Sequence, residues 1–398
     1  MTAPPTLAVI GAGVGACALV ASLRRQGWAG ELLLLESGRG PGGRSATRRS
    51  RADAGLRLDH GAPLFNLAHE PPPALVEPLL SSGAIEPFHG ATATLDGQGL
   101  LSAGSTDPLL TGALYRGRGG MDRLCHGLVE LASPLQLHFG VLVKRLEPRA
   151  PAGWTLRDHH DQPLVEADWL VLTSTLPAHP RTRLLFDWPE APLRQAAHRL
   201  ADPQLDHALA SIASLRFQPR SNLLLVAAGE QADLWRALPF RLLSFDAVAQ
   251  QRWGLSRLSL QDLEDGRMAM VAHSTAVFAA EHLSVYGSGS AMARVLGTPP
   301  RQEEEQAVIE ALLERLSQAL AGLMPQAALL ATQASLMRWG AAQPERPGLP
   351  DNLSLCPSSR VAFCGDYIEG PGFGRVEGAL RSGEALAGRL LPLLQHGG

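Results

Sequence analysis

The chain has 398 residues, which is long for a single domain, so we expect two domains. Its 38 acidic and 35 basic residues give a formal charge of −3, which argues against a nucleic-acid partner, and no apolar run approaches the roughly 20 residues of a membrane span. The four cysteines are widely spaced without a metal-binding pattern, so we expect no metal. The N-terminal residues lack the basic region of a signal peptide, which leads us to expect a cytoplasmic protein.

The start of the chain carries the pattern of a dinucleotide site. An apolar strand leads into a G-x-G-x-x-A loop at residues 11–16, then a helical stretch and a second apolar strand that ends at Glu36. Gly11 permits a tight turn, Gly13 lets backbone N–H groups approach a pyrophosphate, and Ala16 lets the helix pack closely on the strand. The carboxylate of Glu36 can accept hydrogen bonds from the hydroxyls of an adenosine ribose. The predicted dinucleotide-binding residues are therefore Gly11, Ala12, Gly13, Val14, Gly15, Ala16, Glu36 and Ser37. The alternative is a glycine-rich loop beside a surface glutamate.

A second glycine cluster, Gly42-Gly43-Arg44, follows the second strand. The planar fork of an arginine can bind a phosphate with two hydrogen bonds, so Arg44 is suited to a pyrophosphate. Other arginines surround Arg44, and the alternative is a solvated basic loop. On its own, the N-terminal unit fits either NAD or FAD.

The next segments alternate between short strands and helices. We predict a helix over 75–80, a hairpin over 90–101 and a helix over 121–131. Strands are predicted at 135–139, 141–143, 154–156 and 167–173. From 181 to 330 no ligand-binding motif is visible. Candidate strands in that segment lie at 208–217, 223–227 and 268–273, and a long helix over 303–323 opens on three glutamates, where negative charge suits the helix dipole.

The last 40 residues contain a second motif. A buried strand over 361–364 ends on Gly365-Asp366, and an aspartate at the carboxyl edge of a sheet is placed to meet a ligand. A glycine-rich stretch over 370–379 then opens the final helix, whose N-terminus would stabilise a developing anion. The alternative is a loop followed by a helix that binds a membrane surface or a partner.

Together these motifs resemble the FAD-dependent amine oxidase superfamily. Glu36 followed by Gly42-Gly43-Arg44 resembles its second-strand motif. Within the superfamily the chain resembles the renalase-like branch, and most closely its bacterial members. This likeness lies in the order of four features: the motifs at the two ends of the chain, the strand over 170–173 and the segment around Trp339. The resemblance implies an α/β fold: a Rossmann-like FAD-binding domain of the glutathione-reductase/PHBH type with a discontinuous α+β substrate domain. The implied segments are 1–73, 115–180 and 331–398 for the FAD-binding domain, and 74–114 and 181–330 for the substrate domain.

The resemblance also implies roles for residues outside the N-terminal loop. Gly43 would approach the cofactor, Arg44 would neutralise its pyrophosphate, Asp366 would contact the flavin's sugar-phosphate chain, and Gly61 and Ala62 would lie against the flavin. The remaining implied cofactor-binding residues are Pro63, Leu64, Val141, Thr173, Gly365, Gly374, Arg375, Val376 and Ala379.

Renalases oxidise the 2- and 6-dihydro isomers of NAD(P) to NAD(P)+ and pass the electrons to dioxygen as peroxide, so the resemblance implies this activity. Many amine oxidases of the superfamily hold a water with a lysine near flavin N5, but the single lysine here, Lys144, lies on a predicted cofactor-domain strand. This disfavours an ordinary amine oxidase. A dihydropyridine that loses a hydride needs no proton acceptor, so we expect no acid–base dyad. Trp339, His60 and His273 are the candidates for shaping the substrate side, although each is also explained by a structural role.

Two other functions remain open. One is an FAD enzyme acting on an amine, a carotenoid or a porphyrin precursor, and the other is a non-catalytic binder on the same fold. Gly340 departs from the family pattern, because a larger residue is expected after Trp339.

Overall fold

A six-stranded sheet forms the first layer of the fold in this computed structural model, which describes residues 4–50, 53–285, 297, 301–330 and 332–396. Its first five strands are parallel and its last edge strand is antiparallel. Both faces of the sheet are covered, so its central strands Leu7–Ile10, Leu32–Glu36 and Trp169–Leu172 are runs of mostly buried apolar residues rather than alternating ones. In spatial order the strands are Gln136–Phe139, Leu32–Glu36, Leu7–Ile10, Trp169–Leu172, Val361–Phe363 and Leu355–Cys356. The predicted α/β class and Rossmann-like organisation are confirmed.

Three helices cover one face of this sheet. Val14–Arg25 lies between Asp122–Leu131 and the final helix, Val376–His396, and all three contribute to one apolar core. Small residues allow the close approach, since a Cβ at Gly383 would lie 2.6 Å from the carbonyl oxygen of Gly15. The first and last elements of the chain are therefore packed against each other.

A second, seven-stranded sheet carries the middle of the chain. In spatial order its strands are Gln333–Pro344, Phe217–Ala227, Met268–Ser274, Leu255–Asp262, Leu242–Phe245, Thr92–Leu95 and Leu101–Ala103. Side chains alternate along each strand, so Leu223 and Leu225 pack with Leu312 and Leu316 of the helix Gln302–Ala319 on one face. The opposite face carries Asn222 and His273, which border a large cavity.

Three smaller sheets complete the strand inventory. One joins Val143–Pro148, Trp154–Asp158 and Pro163–Ala167, a second joins Phe65–Leu67, Ala113–Gly117 and Ile85–Pro87, and the third pairs Thr47–Arg49 with Arg57–Asp59. The other α-helices are Val76–Ser81, Arg181–Phe186, Pro192–Ala197, Pro203–Ser214, Gly229–Arg236, Ala247–Trp253, Ala276–Glu281 and Ala327–Leu330, and 3-10 turns lie at Gly43–Ser45, Pro108–Leu110 and Asp351–Leu353.

Two of the predicted strands are wrong. Residues 208–217 were expected as a strand, but Pro203–Ser214 is a helix that begins after Asp202, whose side chain accepts hydrogen bonds from the N–H groups of Gln204 and Leu205. The strand expected at 141–143 begins only at its last residue and continues to Pro148, in a sheet separate from the six-stranded one.

The division into two domains stays a prediction. The strand Gln333–Pro344, which the predicted boundaries assign to the FAD-binding domain, pairs with Phe217–Ala227 in the seven-stranded sheet. Residues 286–296 and 298–300 of the predicted substrate domain lie outside the described residues. No helix in the described part of the chain has the length and apolar character needed to cross a membrane.

Candidate functional site

A cavity of about 1980 Å³ lies where the carboxyl edge of the six-stranded sheet meets the seven-stranded sheet. Ordinary small-molecule sites occupy roughly 300–1,000 Å³. The cavity is thus large enough for a dinucleotide and a second molecule. All predicted site residues except Ala12 and Ala16 line it. These two alanines are fully buried beneath the glycine loop, so they shape its packing and do not face the cavity.

The glycine loop and the end of the second strand form one hydrogen-bonded unit. The Glu36 carboxylate accepts from the N–H of Ala12 at 2.8 Å and from the N–H of Gly38 at 2.6 Å. The N–H of Gly42 donates to the carbonyl of Ala12 at 2.8 Å, which brings the second glycine cluster beside the first. Gly11 has a φ of 106°, a conformation that favours glycine. This backbone-lined end of the cavity fits the pyrophosphate and ribose of a dinucleotide.

Arg44 and Asp366, which are 322 positions apart, meet in this cavity. The two guanidinium nitrogens lie 2.7 and 2.6 Å from the two carboxylate oxygens, and Arg44 also donates to the carbonyl of Ala342 at 2.9 Å. Burial lowers the pKa of the Arg44 guanidinium and the Asp366 carboxylate raises it, with a net shift upward. The N–H of Gly374 donates to the Asp366 carbonyl at 2.8 Å, so the same aspartate anchors the start of the final helix.

The loop at His60 and Gly61 is hydrogen-bonded to the Arg44 backbone on one side and to the seven-stranded sheet on the other. The N–H of Ala62 donates to the Arg44 carbonyl at 2.9 Å, and a Cβ at Gly61 would lie 3.0 Å from the carbon of that carbonyl and closer still to its oxygen. The His60 ring stacks on Trp339 with a centroid separation of 5.5 Å. The His60 carbonyl accepts from Trp339 Nε1 at 3.3 Å and from Asn222 Nδ2 at 2.9 Å. Two strands of the seven-stranded sheet therefore fix the backbone of this loop.

Polar side chains replace the apolar pattern where the seven-stranded sheet faces the cavity. Asn222 lies opposite His273 on the neighbouring strand, and His273 lies opposite Arg257 on the next. Arg220 has the same strand parity as Asn222 and lies opposite Trp339. Asn222 Oδ1 and His273 Nε2 are buried and have no hydrogen-bond partner among the described residues. Buried polar atoms are almost always paired, so these two atoms are unsatisfied hydrogen-bonding groups on this wall of the cavity.

Both histidines on this side are neutral near pH 7. Burial is the main cause in each case, and it lowers the pKa of His60 to about 4, with a further contribution from Arg48. The pKa of His273 falls to about 3 through burial and the nearby charges of Arg257 and Arg220. Neither ring acts as an efficient proton acceptor at neutral pH.

Sequence reasoning missed Arg220, Asn222, Arg257 and Arg181, which all line the cavity. The strand prediction began at residue 223, whereas the strand is Phe217–Ala227. The alternation of Arg220 and Asn222 ahead of an apolar run was a usable signal, since polar residues two apart on one strand share a face. The chain's single lysine, Lys144, does not line the cavity and lies 5.9 Å from the ring centroid of Trp188. Within the described ranges, no group of His, Cys, Asp and Glu side chains could hold a metal ion.

The parallel sheet, the glycine loop and the acid at the second strand end define a Rossmann-like dinucleotide-binding protein, and a family described as "NAD(P)-binding Rossmann-like domain" matches residues 9–76. A second family, "Flavin containing amine oxidoreductase", matches residues 105–391, which is most of the chain. The protein belongs to the flavin-containing amine oxidoreductase family and is an FAD-dependent oxidoreductase of the amine oxidase type.

Solved structures with little sequence identity share the fold. Cyclohexylamine oxidase from Brevibacterium oxydans IH-35A is 16% identical with a TM-score of 0.62, over 99% of this chain and 100% of that one. An oxidoreductase from Methanosarcina mazei is 14% identical with a TM-score of 0.61, over 96% and 99% of the two chains. Putrescine oxidase bound to putrescine is 13% identical with a TM-score of 0.59, over 98% and 99%. No curated protein matches the chain.

Proposed function

We propose that the protein is an FAD-dependent oxidase of the renalase type. The proposed reaction converts the 2- or 6-dihydro isomer of NAD(P), dioxygen and a proton into NAD(P)+ and hydrogen peroxide. Bound FAD supplies the hydride acceptor and then the route of the electrons to dioxygen. The protein's own part is to hold the two ring systems in contact and to keep other donors out.

The observation that carries this proposal is the lack of a proton acceptor tuned to neutral pH among the substrate-side histidines. The pKa values of His60 and His273 are lowered to about 4 and about 3, and Lys144, the single lysine, lies elsewhere. An amine arrives protonated and must release a proton before it can be oxidised. A dihydropyridine becomes an aromatic cation on losing a hydride and releases no proton, so it suits this site better.

In this proposal the cofactor is held by residues at the edge of the six-stranded sheet. Glu36 accepts from the ribose, the backbone at Gly13 and Gly43 lies along the pyrophosphate, and Gly61 lets the loop backbone lie against the flavin. Arg375 and the start of the final helix at Val376 face the ring. Trp339 and the two histidines shape the space where the substrate binds. The proposal includes the division into two domains, in which the seven-stranded sheet lines the substrate-binding part of the cavity.

The second candidate is an oxidase acting on an amine, which the family match and the printed names of two structural neighbours favour. Anaerobic mixing separates the candidates. The visible absorbance of the flavin is expected to bleach with 6-dihydro-NAD(P) and to remain with putrescine and cyclohexylamine. The 4-dihydro isomer, ordinary NAD(P)H, is the matched control, because it has the same charges and differs in the carbon that carries the hydride. Bleaching by the amines alone, or by none of these compounds, would refute the renalase assignment.

A further inference from the structure

The cavity carries an excess of positive charge. Its lining includes nine arginines and five carboxylates, a formal excess of four positive charges. The arginines are Arg39, Arg44, Arg48, Arg49, Arg181, Arg220, Arg257, Arg338 and Arg375. The two phosphates of FAD supply about two negative charges, so about two positive charges remain for another ligand. A cavity of this sign concentrates anions and repels ammonium groups.

Each carboxylate in the lining is already engaged. Three are in ion pairs with arginines, one accepts from backbone N–H groups, and one caps a helix. The pairs are Asp107 with Arg257, Asp122 with Arg49 and Asp366 with Arg44; Glu36 accepts from Ala12 and Gly38, and Asp246 accepts from the N–H of Ala249. A protonated amine would therefore have to compete with an arginine for each paired carboxylate.

Arg220 differs from the paired arginines. Its guanidinium donates to the Pro219 carbonyl at 2.8 Å and to Gln218 Oε1 at 2.9 Å, and both acceptors are neutral. Within the described ranges no carboxylate pairs with it. Burial, followed by the charge of Arg257, lowers the pKa of Arg220 to about 10, and the Asp107 carboxylate, which pairs with Arg257, offsets only part of this cost. An incoming anion would relieve this cost.

The surroundings of Arg220 form a built site rather than an isolated charge. Asn222, two residues along the same strand, lines the cavity; its amide nitrogen is fixed by the His60 carbonyl, and its buried Oδ1 is left without a partner. That oxygen can accept from the N–H of a carboxamide. Trp339 lies opposite Arg220 in the sheet and stacks on His60. A cation and an amide acceptor thus lie along one strand beside an aromatic wall.

We propose that Arg220 binds an oxyanion carried by the substrate and that Asn222 Oδ1 accepts a hydrogen bond from its carboxamide. This inference rests on the proposed function, in which the oxyanion is the phosphate of a dihydronicotinamide nucleotide. A carboxylate is the other source of the same chemistry. Arg220 selects substrates by charge: anionic nucleotides bind, and neutral nucleosides and amines bind weakly.

The test is equilibrium binding to the FAD-loaded protein, followed by the change in flavin absorbance. Nicotinamide mononucleotide and nicotinamide riboside share the ring and the carboxamide and differ by one phosphate. A charged hydrogen bond of about 1.5–3 kcal/mol corresponds to roughly a ten- to hundredfold preference for the mononucleotide. Arg220→Gln is expected to remove the preference, because it weakens binding of the mononucleotide and does not weaken binding of the riboside, whose pyridinium ring is cationic. The exposed residue Arg199 provides the control, because Arg199→Gln keeps the local chemistry of the cavity.

A second variant and a competition experiment with two anions complete the test. Arg220→Lys serves as the second variant if Arg220→Gln loses FAD. Because Arg220→Lys retains the positive charge, it is expected to keep most of the preference for the mononucleotide. Inorganic phosphate should displace the mononucleotide more strongly than propionate at equal ionic strength; the reverse order would overturn the phosphate assignment. Equal binding of mononucleotide and riboside, or an unchanged preference in Arg220→Gln, would overturn the role of Arg220. Both ligands are already oxidised, so a failure of the proposed oxidase activity leaves this measurement intact and separately interpretable.

Discussion

Replacing Gly61 by alanine tests whether the loop at residues 60–62 must lie directly against the Arg44 backbone. The added Cβ would lie 3.0 Å from the Arg44 carbonyl carbon, closer still to the oxygen, and 3.4 Å from Trp339 Cζ2. The neighbour is backbone, so the loop has to move and the 2.9 Å hydrogen bond from Ala62 to Arg44 is lost. Overpacking costs about 1–3 kcal/mol and the hydrogen bond about 0.5–1.5, so we expect a destabilisation of roughly 2–4 kcal/mol.

The assay is urea unfolding of the purified holoprotein, combined with the flavin content after gel filtration. Gly388 is the matched control, since it lies exposed in the final helix and a Cβ there would meet no atom within 4 Å. Gly388→Ala is expected to stabilise the helix by about 0.5–1 kcal/mol and to keep the flavin. Gly61→Ala should lower both the unfolding midpoint and the flavin content. Equal behaviour of the two variants would refute the steric argument and the placement of this loop at the flavin.

Three further outcomes are expected. Glu36→Ala removes the acceptor of two backbone N–H groups and should lower FAD retention more than Glu36→Gln, measured by equilibrium dialysis; unaltered flavin content would contradict a ribose role. The rate of anaerobic flavin reduction should be flat from about pH 6 to 9, because His60 and His273 stay neutral there, and a sigmoidal profile centred in that range would reveal a base that we have missed. Burial raises the pKa of Asp59 to about 6, so the folded protein binds its proton more tightly than the unfolded chain and stability falls as the pH rises through that value. Asp59→Asn should therefore gain stability relative to the native protein, more at pH 8 than at pH 5 and not at all once the pH is below about 3.8, and a gain of equal size at pH 5 and pH 8 would contradict the titration.

The nucleotide-binding half of the fold could be predicted because its signals are local. Apolar runs of four or five residues, glycines at fixed spacing and a terminal acid occupy one continuous stretch, and parallel strands buried on both faces show continuous apolar patterns. The two distant motifs were assigned to one cofactor, and the structure brings Arg44 and Asp366 into a direct ion pair. Their proposed contacts with FAD stay predictions.

The substrate side could not be predicted in the same way, because it depends on strand pairing between distant segments. Phe217–Ala227 pairs with Gln333–Pro344 more than 100 positions away, and nothing in either local pattern specifies that partner. The polar start of the first strand resembles a loop until its partner is known. For the same reason the apolar residues of the helix Pro203–Ser214 were taken for a strand, although Asp202 and Pro203 are a helix-start signal.

In the proposed function, charge rather than shape separates this substrate side from one built for amines. A unit charge about 4 Å from the Arg220 guanidinium interacts with it by about 4 kcal/mol at an effective dielectric constant of about 20. The interaction favours a phosphate and disfavours an ammonium group by the same amount, so the difference between the two substrate classes is about twice that figure at this position. Arg257 adds little to it, because Asp107 lies 2.5 Å away and compensates its charge. In the proposed function, FAD lies at the edge of the six-stranded sheet, and the charge of Arg220 on the facing sheet selects for anionic substrates and against amines.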